Sequence, residues 1–155
     1  MQLIIFTGIP AAGKSTFYQR YFYHSHLRIN LDMLKTRHRE SVIFEAAIAS
    51  KTKIVIDNTN PSIEERSRYI PLAQAAGYEI VSYYFDTDLK STLKRNEQRA
   101  GKAKIPVVGI KAKLRQLQLP TLAEGFQKLY RVKIVPNNAF AIELLESTDA
   151  FNPPA

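Results

Sequence analysis

The chain has 155 residues, enough for one domain with a hydrophobic core, and its composition is that of an ordinary soluble globular protein. It contains no cysteine, which excludes disulfides and thiolate metal sites, and no apolar run approaches the ~20 residues of a membrane-spanning helix. The first residues, MQLIIFTG, lack the basic leader and cleavage site of a signal peptide, so we expect a buried strand there and a cytoplasmic protein.

The net charge of +8 is unevenly placed along the chain. Residues 90–115 contain nine basic residues and a single acid, Glu97, whereas bases and acids balance in the remainder. The segment is either a solvated basic helix face or a surface for a polyanion, such as nucleotide phosphates or a nucleic-acid backbone.

The first half of the chain alternates apolar runs with helical patterns. Strands are predicted at residues 3–6, 27–30 and 53–57, and helices at 14–23 and 31–50. The third strand, KIVID, is apolar up to its final carboxylate, as expected of a buried parallel strand.

The second half continues the alternation. Ser62 and Glu65 form a capping-box pattern that opens a helix ending at Gly77, and a fourth strand follows at 79–86. Asp88 caps the basic helix, which runs to about residue 99 and is followed by a break at 101–106 and a short helix. A last strand is predicted at 126–135.

A phosphate-binding motif lies between the first strand and the first helix. Residues 8–15, GIPAAGKS, fit G-x-x-x-x-G-K-[ST] in the strand–turn–helix setting that this motif requires. The glycines let the backbone curl around phosphate oxygens, the Lys14 ammonium suits the β- and γ-phosphates, and the Ser15 hydroxyl suits Mg²⁺. The expected ATP-binding residues are Gly8, Ile9, Pro10, Ala11, Ala12, Gly13, Lys14, Ser15 and Thr16.

These features predict an α/β protein with the P-loop NTPase fold, similar to adenylate kinase, with helices on both faces of a mainly parallel sheet of about five strands. Ligands of such sheets bind beyond the carboxyl ends of the strands, where Gly8, Asp32 and Asp57 are all expected. We predict a kinase domain over residues 1–136, a lid around 94–110 and a C-terminal tail over 137–155.

The motif also suggests how a phosphoryl group could be transferred. Asp57 is placed to join Ser15 at a magnesium site, and Asp32 is the candidate general base, although it could instead cap the helix that follows it. Arg95 and Arg99 share one helix face and could close over ATP, with Arg99 the stronger catalytic candidate because it borders the break. Lys35, Arg37 and Asn58 are the candidate acceptor-binding residues.

Several segments resemble the 5′-hydroxyl polynucleotide kinases, both the bacteriophage enzyme and the kinase domain of the animal polynucleotide kinase 3′-phosphatase. They are GIPAAGKST, IDNTNPSIEERSRYIPLAQAAG at residues 56–77, KRNEQR at 94–99 followed by IP at 105–106, and PTLAEGF at 120–126. The resemblance covers roughly residues 3–135 and implies ATP-dependent phosphorylation of a 5′-hydroxyl on DNA or RNA. It also implies that Asp32 is the general base, that Arg99 contacts the ATP phosphates and that Asp57 belongs to the magnesium network.

Two departures from that family affect the acceptor side. The family commonly has Asn-Arg-Asp where this chain has Asn30-Leu31-Asp32, and Lys35 stands where an arginine is expected to grip the acceptor phosphate. A lysine cannot make the bidentate contact of an arginine. Two alternatives therefore stay open: a kinase of the same fold acting on a sugar, nucleoside or similar metabolite, and a non-catalytic ATP-binding regulatory protein.

Overall fold

The computed structural model of the chain describes residues 1–99, 101 and 104–148; the end of the predicted tail and part of the predicted lid lie outside these residues. The described residues form one sheet of six strands: β1 (Gln2–Thr7), β2 (Leu27–Ile29), β3 (Ile54–Ile56), β4 (Glu79–Phe85), β5 (Lys128–Val135) and β6 (Ala139–Ser147). Their spatial order is β2-β3-β1-β4-β5-β6. The first five strands pair in parallel and β6 runs antiparallel to β5, so the predicted mixed α/β class with a mainly parallel sheet is confirmed.

Seven α-helices connect or follow the strands in the described residues: α1 (Lys14–Tyr21), α2 (Leu31–Leu34), α3 (Arg37–Ala49), α4 (Ile63–Arg66), α5 (Ile70–Ala75), α6 (Leu89–Glu97) and α7 (Val107–Gln116). The predicted caps are present, since Ser62 accepts a hydrogen bond from the Glu65 amide and Asp88 accepts one from the Ser91 amide. The single helix predicted over 31–50 is wrong. Lys35 adopts a φ of 76°, which ends α2, and Thr36 then caps α3.

Alternating side chains of β1 enter two separate cores. Leu3 and Ile5 pack with Phe44 of α3 and Ile70 of α5, whereas Phe6 on the other face packs against Phe17 of α1. All of these side chains are buried. Burying a side chain of this size stabilises the fold by about 1.5–3 kcal/mol, so both helical layers hold β1 and the loop after it in place.

The sixth strand was not predicted. β6 lies within the region predicted to be a tail, and it pairs with β5 from Lys128↔Ser147 to Val135↔Ala139 around a turn in which Asn137 and Asn138 have positive φ. Most β6 side chains are exposed, so the strand lacks the alternation of buried and polar residues from which a strand is predicted. None of the helices in the described parts of the chain has the length and apolar character needed to cross a membrane.

Candidate active site

The loop between β1 and α1 is held by close packing. A Cβ on Gly8 would lie 2.9 Å from the Cβ of Phe85, so only glycine lets the loop leave β1 along this path. Gly13 has a φ of 93° immediately before α1 begins at Lys14. A Cβ on Gly13 would lie 3.1 Å from the Ile134 side chain, which shows that the end of β5 borders the loop.

Lys14 lies inside the curve of its own loop. Its Nζ donates to the carbonyl oxygens of Gly8 and Ile9, at 2.9 Å each. Burial lowers the pKa of Lys14 to about 8, against a raising effect of Asp57, and Arg99 lowers it whereas Asp32 raises it. Asp57, Arg99 and Asp32 therefore all act electrostatically on the Lys14 ammonium.

The Ser15 hydroxyl and the Asp57 carboxylate meet beside Lys14. Ser15 Oγ donates to Asp57 Oδ2 at 3.0 Å, and the Asp57 side chain is almost fully buried. Two adjacent oxygen ligands fit Mg²⁺, which keeps several waters and completes its shell with substrate phosphates. Within the described residues there is no group of three or more His, Cys, Asp or Glu side chains that could hold a metal ion.

Asp32 lies in the first turn of α2. The cap of this helix is Asn30, whose Oδ1 accepts from the Met33 amide at 2.9 Å and whose Nδ2 donates to the Asp57 carbonyl oxygen at 2.6 Å. The capping role considered for Asp32 therefore belongs to Asn30. The Asp32 side chain is exposed and faces a cavity.

A cavity of about 370 Å³ brings most of the predicted residues together. Those in its lining are Pro10, Ala11, Ala12, Gly13, Lys14, Ser15, Asp32, Arg37, Asp57, Asn58 and Arg99. It lies at the carboxyl edge of the sheet, because these residues follow β1, β2 and β3 directly or come from the helices over that edge. One space therefore joins the phosphate loop, the Ser15–Asp57 pair and the candidate base.

Five predicted residues are not in the lining of this cavity: Gly8, Ile9, Thr16, Lys35 and Arg95. Gly8 and Ile9 contribute through their carbonyl oxygens, and Lys35 is exposed at the end of α2. Arg95 Nε donates to the Ala11 carbonyl oxygen at 2.9 Å and its Nη2 to Thr87 Oγ1 at 2.6 Å. Arg95 therefore connects α6 to the outer side of the phosphate loop.

The side of the cavity lined by Asp32, Arg37 and Asn58, which we call the acceptor side after the role predicted for these residues, is built on a buried hydrogen-bond network. Asn58 Nδ2 donates to Glu40 at 2.8 Å, while Asn58 Oδ1 accepts from the Leu31 amide at 2.8 Å. Tyr69 also donates to Glu40, and burial, followed by the Glu40 charge, raises the pKa of Tyr69. Asn58 thus fixes the start of α2, and through it the position of Asp32.

Arg37 is paired with two acids. It lies 2.9 Å from Glu40 and 3.8 Å from Glu65, and both Arg37 and Glu65 line the cavity. The positive charge available to an acceptor on this side is therefore partly neutralised.

Among the residues that sequence reasoning missed are Asn30 and Glu65, which line the cavity, and Arg28, which contacts two of its lining residues. Arg28 Nε donates to Asp57 Oδ2 at 2.8 Å and its Nη2 to Ser15 Oγ at 3.0 Å. Its position near the end of β2 was the available signal, but the contact depends on β2 pairing with β3, which the sequence does not show.

The fold and this loop define a P-loop protein of the kinase-like type. The chain belongs to the AAA_33 family, described as an AAA domain, whose model matches residues 34–120.

The curated relatives that match this chain are named as kinases or as bifunctional proteins with a kinase activity. The chain is 27% identical over 135 residues to the bifunctional polynucleotide phosphatase/kinase of Schizosaccharomyces pombe, covering 84% of this chain and 33% of that protein. It is 35% identical over 81 residues to a putative bifunctional polynucleotide phosphatase/kinase of Acanthamoeba polyphaga mimivirus, covering 52% and 19%. It is 25% identical to the L-seryl-tRNA(Sec) kinase of Methanococcus maripaludis, covering 64% and 47%. The chain thus spans a third or less of the length of the first two relatives.

Solved structures share the fold at low sequence identity. Chaetomium thermophilum Kti12 in complex with ADP-AlF3 is similar with a TM-score of 0.67 and 13% identity, covering 84% of this chain and 88% of that one. A gluconokinase from Sinorhizobium meliloti 1021 is similar with a TM-score of 0.55 and 17% identity, covering 86% and 83%. The predicted P-loop fold is thereby confirmed.

Proposed function

We propose that the chain is an ATP-dependent kinase that transfers the γ-phosphoryl group of ATP to the 5′-hydroxyl of a polynucleotide. The observation that carries this proposal is the single cavity that joins Lys14, the Ser15–Asp57 pair, Asp32 and Arg99 at the carboxyl edge of the sheet. Similarity to two polynucleotide phosphatase/kinases supports the choice of acceptor.

Each residue then has a distinct task. Asp32 orients the acceptor hydroxyl and takes its proton, while Lys14 and Arg99 neutralise charge on the transferred phosphoryl group. The loop amides around Gly13 bind the phosphates at the positive end of α1. Ser15 and Asp57 would hold Mg²⁺, which supplies charge neutralisation on the phosphate oxygens.

The basic segment supports a polyanionic acceptor. Arg99 and Lys113 from this segment line the cavity, and the other described bases of α6 and α7 are not in its lining. A nucleic-acid end entering the cavity would then carry its backbone along the positively charged helices. The proposal also includes closure of residues 94–110 over ATP. Arg95 would keep its hydrogen bond to the phosphate loop during this closure.

A transfer assay with γ-labelled ATP tests this function directly. Oligonucleotides with a 5′-hydroxyl are offered beside a panel of sugars and nucleosides, and labelled oligonucleotide is the expected product. Asp32→Asn should lower the transfer rate about 10²–10⁴-fold, because it removes the proton acceptor. Glu45→Gln, at an exposed position of α3, is the matched control and should leave the rate unchanged.

A second candidate is a small-molecule kinase, which the paired acids favour. Glu40 and Glu65 partly neutralise Arg37, and a side of the cavity with little free positive charge suits an uncharged hydroxyl-bearing metabolite. Labelling of a metabolite with none on oligonucleotides would establish this alternative and refute the first.

Salt separates the two acceptors further. Each backbone phosphate neutralised by the protein releases counterions, so transfer to a polynucleotide should fall steeply as salt rises, whereas transfer to a neutral metabolite should not. ATP binding without transfer to any acceptor, unaffected by Asp32→Asn, would instead indicate a non-catalytic regulatory protein.

A further inference from the structure

Arg28 makes contacts that no nucleotide-binding motif assigns to it. Its guanidinium bridges the two proposed magnesium ligands, with Nε 2.8 Å from Asp57 Oδ2 and Nη2 3.0 Å from Ser15 Oγ. The Tyr18 ring lies beneath it, 5.9 Å from the Arg28 Cζ. A positive group therefore sits where a divalent cation would find its oxygen ligands.

Both proposed metal ligands already bind Arg28, although Ser15 keeps one lone pair. A hydroxyl has one proton and two lone pairs. Ser15 Oγ gives its proton to Asp57 and accepts from Arg28, which occupies one lone pair. The carboxylate oxygen Asp57 Oδ2 is likewise shared between Ser15 and Arg28.

The surrounding charges add to the conflict. Lys14 is a further cation that interacts with Asp57, and Arg99 and Asp32 also act on Lys14. A divalent cation that enters beside three positive side chains is repelled by each of them, and the repulsion is strongest from the nearest group. Arg28 is in direct contact with both ligands.

Arg28 also has freedom to leave, which a purely structural arginine lacks. Its side chain is 27% exposed, whereas Arg66, the buried arginine paired with Glu124, is 0% exposed. An arginine at the rim of a cavity can release its partners into water at a modest cost, since water replaces the hydrogen bonds.

We propose that Arg28 is a resident cation that competes with Mg²⁺ for the Ser15–Asp57 pair and so sets the metal concentration that nucleotide binding requires. The inference rests on the proposed function, because it takes that pair as the metal site. Arg28 is a positioning residue in this scheme: it holds Ser15 and Asp57 together, and it gives up these contacts when the metal is bound.

The test is a Mg²⁺ titration of ADP binding, measured calorimetrically on the full chain at fixed ionic strength. Arg28→Gln removes the positive charge, and the Mg²⁺ concentration that gives half-maximal ADP affinity should fall by about fivefold or more, because one repelling charge in contact with both ligands is removed. Arg28→Lys keeps the positive charge but loses the planar guanidinium that donates to both ligands, and its Mg²⁺ midpoint should lie between those of the wild type and Arg28→Gln. Arg68→Gln, an exposed arginine outside the cavity, is the matched control and should match the wild type.

A second measurement uses the wild type alone, so that it does not depend on a variant's folding. The exchange of the Arg28 Nε proton with water, followed by NMR, should be slow without Mg²⁺ and should accelerate when Mg²⁺ and ADP are added. An unchanged or higher Mg²⁺ midpoint in Arg28→Gln, or an Nε proton that stays protected, would overturn the inference.

The outcomes also separate this inference from the kinase proposal. A shifted midpoint without transfer to any acceptor would keep the role of Arg28 and refute the kinase activity. Normal transfer with an unchanged Mg²⁺ midpoint would keep the kinase activity and refute the role of Arg28. A wild type that does not bind ADP would refute both.

Discussion

The two sides of the cavity are built in different ways. On the phosphate side, a contiguous stretch of chain supplies the loop, Lys14 and Ser15, and the cores on both faces of β1 hold it. On the acceptor side, Asp32 and Arg37 come from separate helices, and their positions depend on Asn58, Glu40 and Tyr69. A contiguous motif can bind the same chemical group in many proteins. A site assembled from dispersed residues can differ from one protein to the next, and the acceptor that it binds can differ with it.

The largest expected effect comes from a buried ion pair that lies outside the lining of both sides of the cavity. Arg66 is fully buried, donates to both carboxylate oxygens of Glu124 and reaches the Asn60 carbonyl oxygen at 3.0 Å. Arg66→Met leaves Glu124 as an uncompensated buried charge and should lower the free energy of unfolding by about 3–5 kcal/mol in urea denaturation. The double variant with Glu124→Gln should recover part of that loss, because it removes the unpaired charge. A loss below about 1 kcal/mol in the single variant would show that this ion pair contributes little to the free energy of unfolding.

The next effect should be confined to the phosphate side. Lys14→Met removes the ammonium from the loop, and the rate of transfer should fall about 10²–10³-fold, the loss typical of one transition-state donor. The Km for the acceptor should stay near its wild-type value, because the acceptor contacts are on other elements. Lys51→Met, at an exposed position after α3 and outside the cavity lining, serves as control. If the transfer rate and the Km for the acceptor both worsened by the same factor, the two sides would not be independent.

A smaller effect should be confined to the acceptor side. Asn58→Ala frees the Leu31 amide and the Glu40 carboxylate, which lets α2 shift Asp32 out of line, so acceptor kcat/KM should fall about tenfold. Steady-state kinetics should show the KM for ATP changed by less than about twofold, since the phosphate loop makes no use of this amide. Gln19→Ala on the exposed face of α1 is the control. A larger change in the KM for ATP than in that for the acceptor would contradict the division.

The smallest expected effect involves neither side. Burial, with a smaller contribution from Lys53, lowers the pKa of His26, whose ring contacts Ser25 Oγ and Gln2 Oε1 at 2.7 Å each. The folded state therefore favours the neutral ring, so its contribution to stability is present above about pH 6.5, the ordinary value, and is lost as the pH falls below it. Thermal unfolding between pH 7.5 and 5.5 should show a loss below about 1 kcal/mol that His26→Gln removes. His38→Gln, at an exposed position, should retain the wild-type dependence.

The elements that the sequence predicted well are those with local causes. The phosphate loop depends on Gly8, Gly13 and the residues between them, and the caps at Ser62 and Asp88 are bonds to amides three residues on. The break at Lys35 was missed because its positive φ carries no glycine signal, and β6 was missed because few of its side chains are buried.

The amino-acid order by itself determined the alternating strands, the mainly parallel sheet and a loop shaped for phosphates, because short-range hydrogen bonds and burial periodicity fix these features within a few residues. Only the tertiary structure decided that Asn30 reaches the Asp57 carbonyl oxygen, that Asn58 ties α2 to Glu40, and that Arg28 lies against Ser15 and Asp57. Those contacts join residues up to 29 positions apart, as Arg28 and Asp57 are, and they exist because β2 pairs with β3 and β3 with β1. Strand order is a property of the whole sheet, set by how the helices pack on its two faces, and no single segment of the chain contains it.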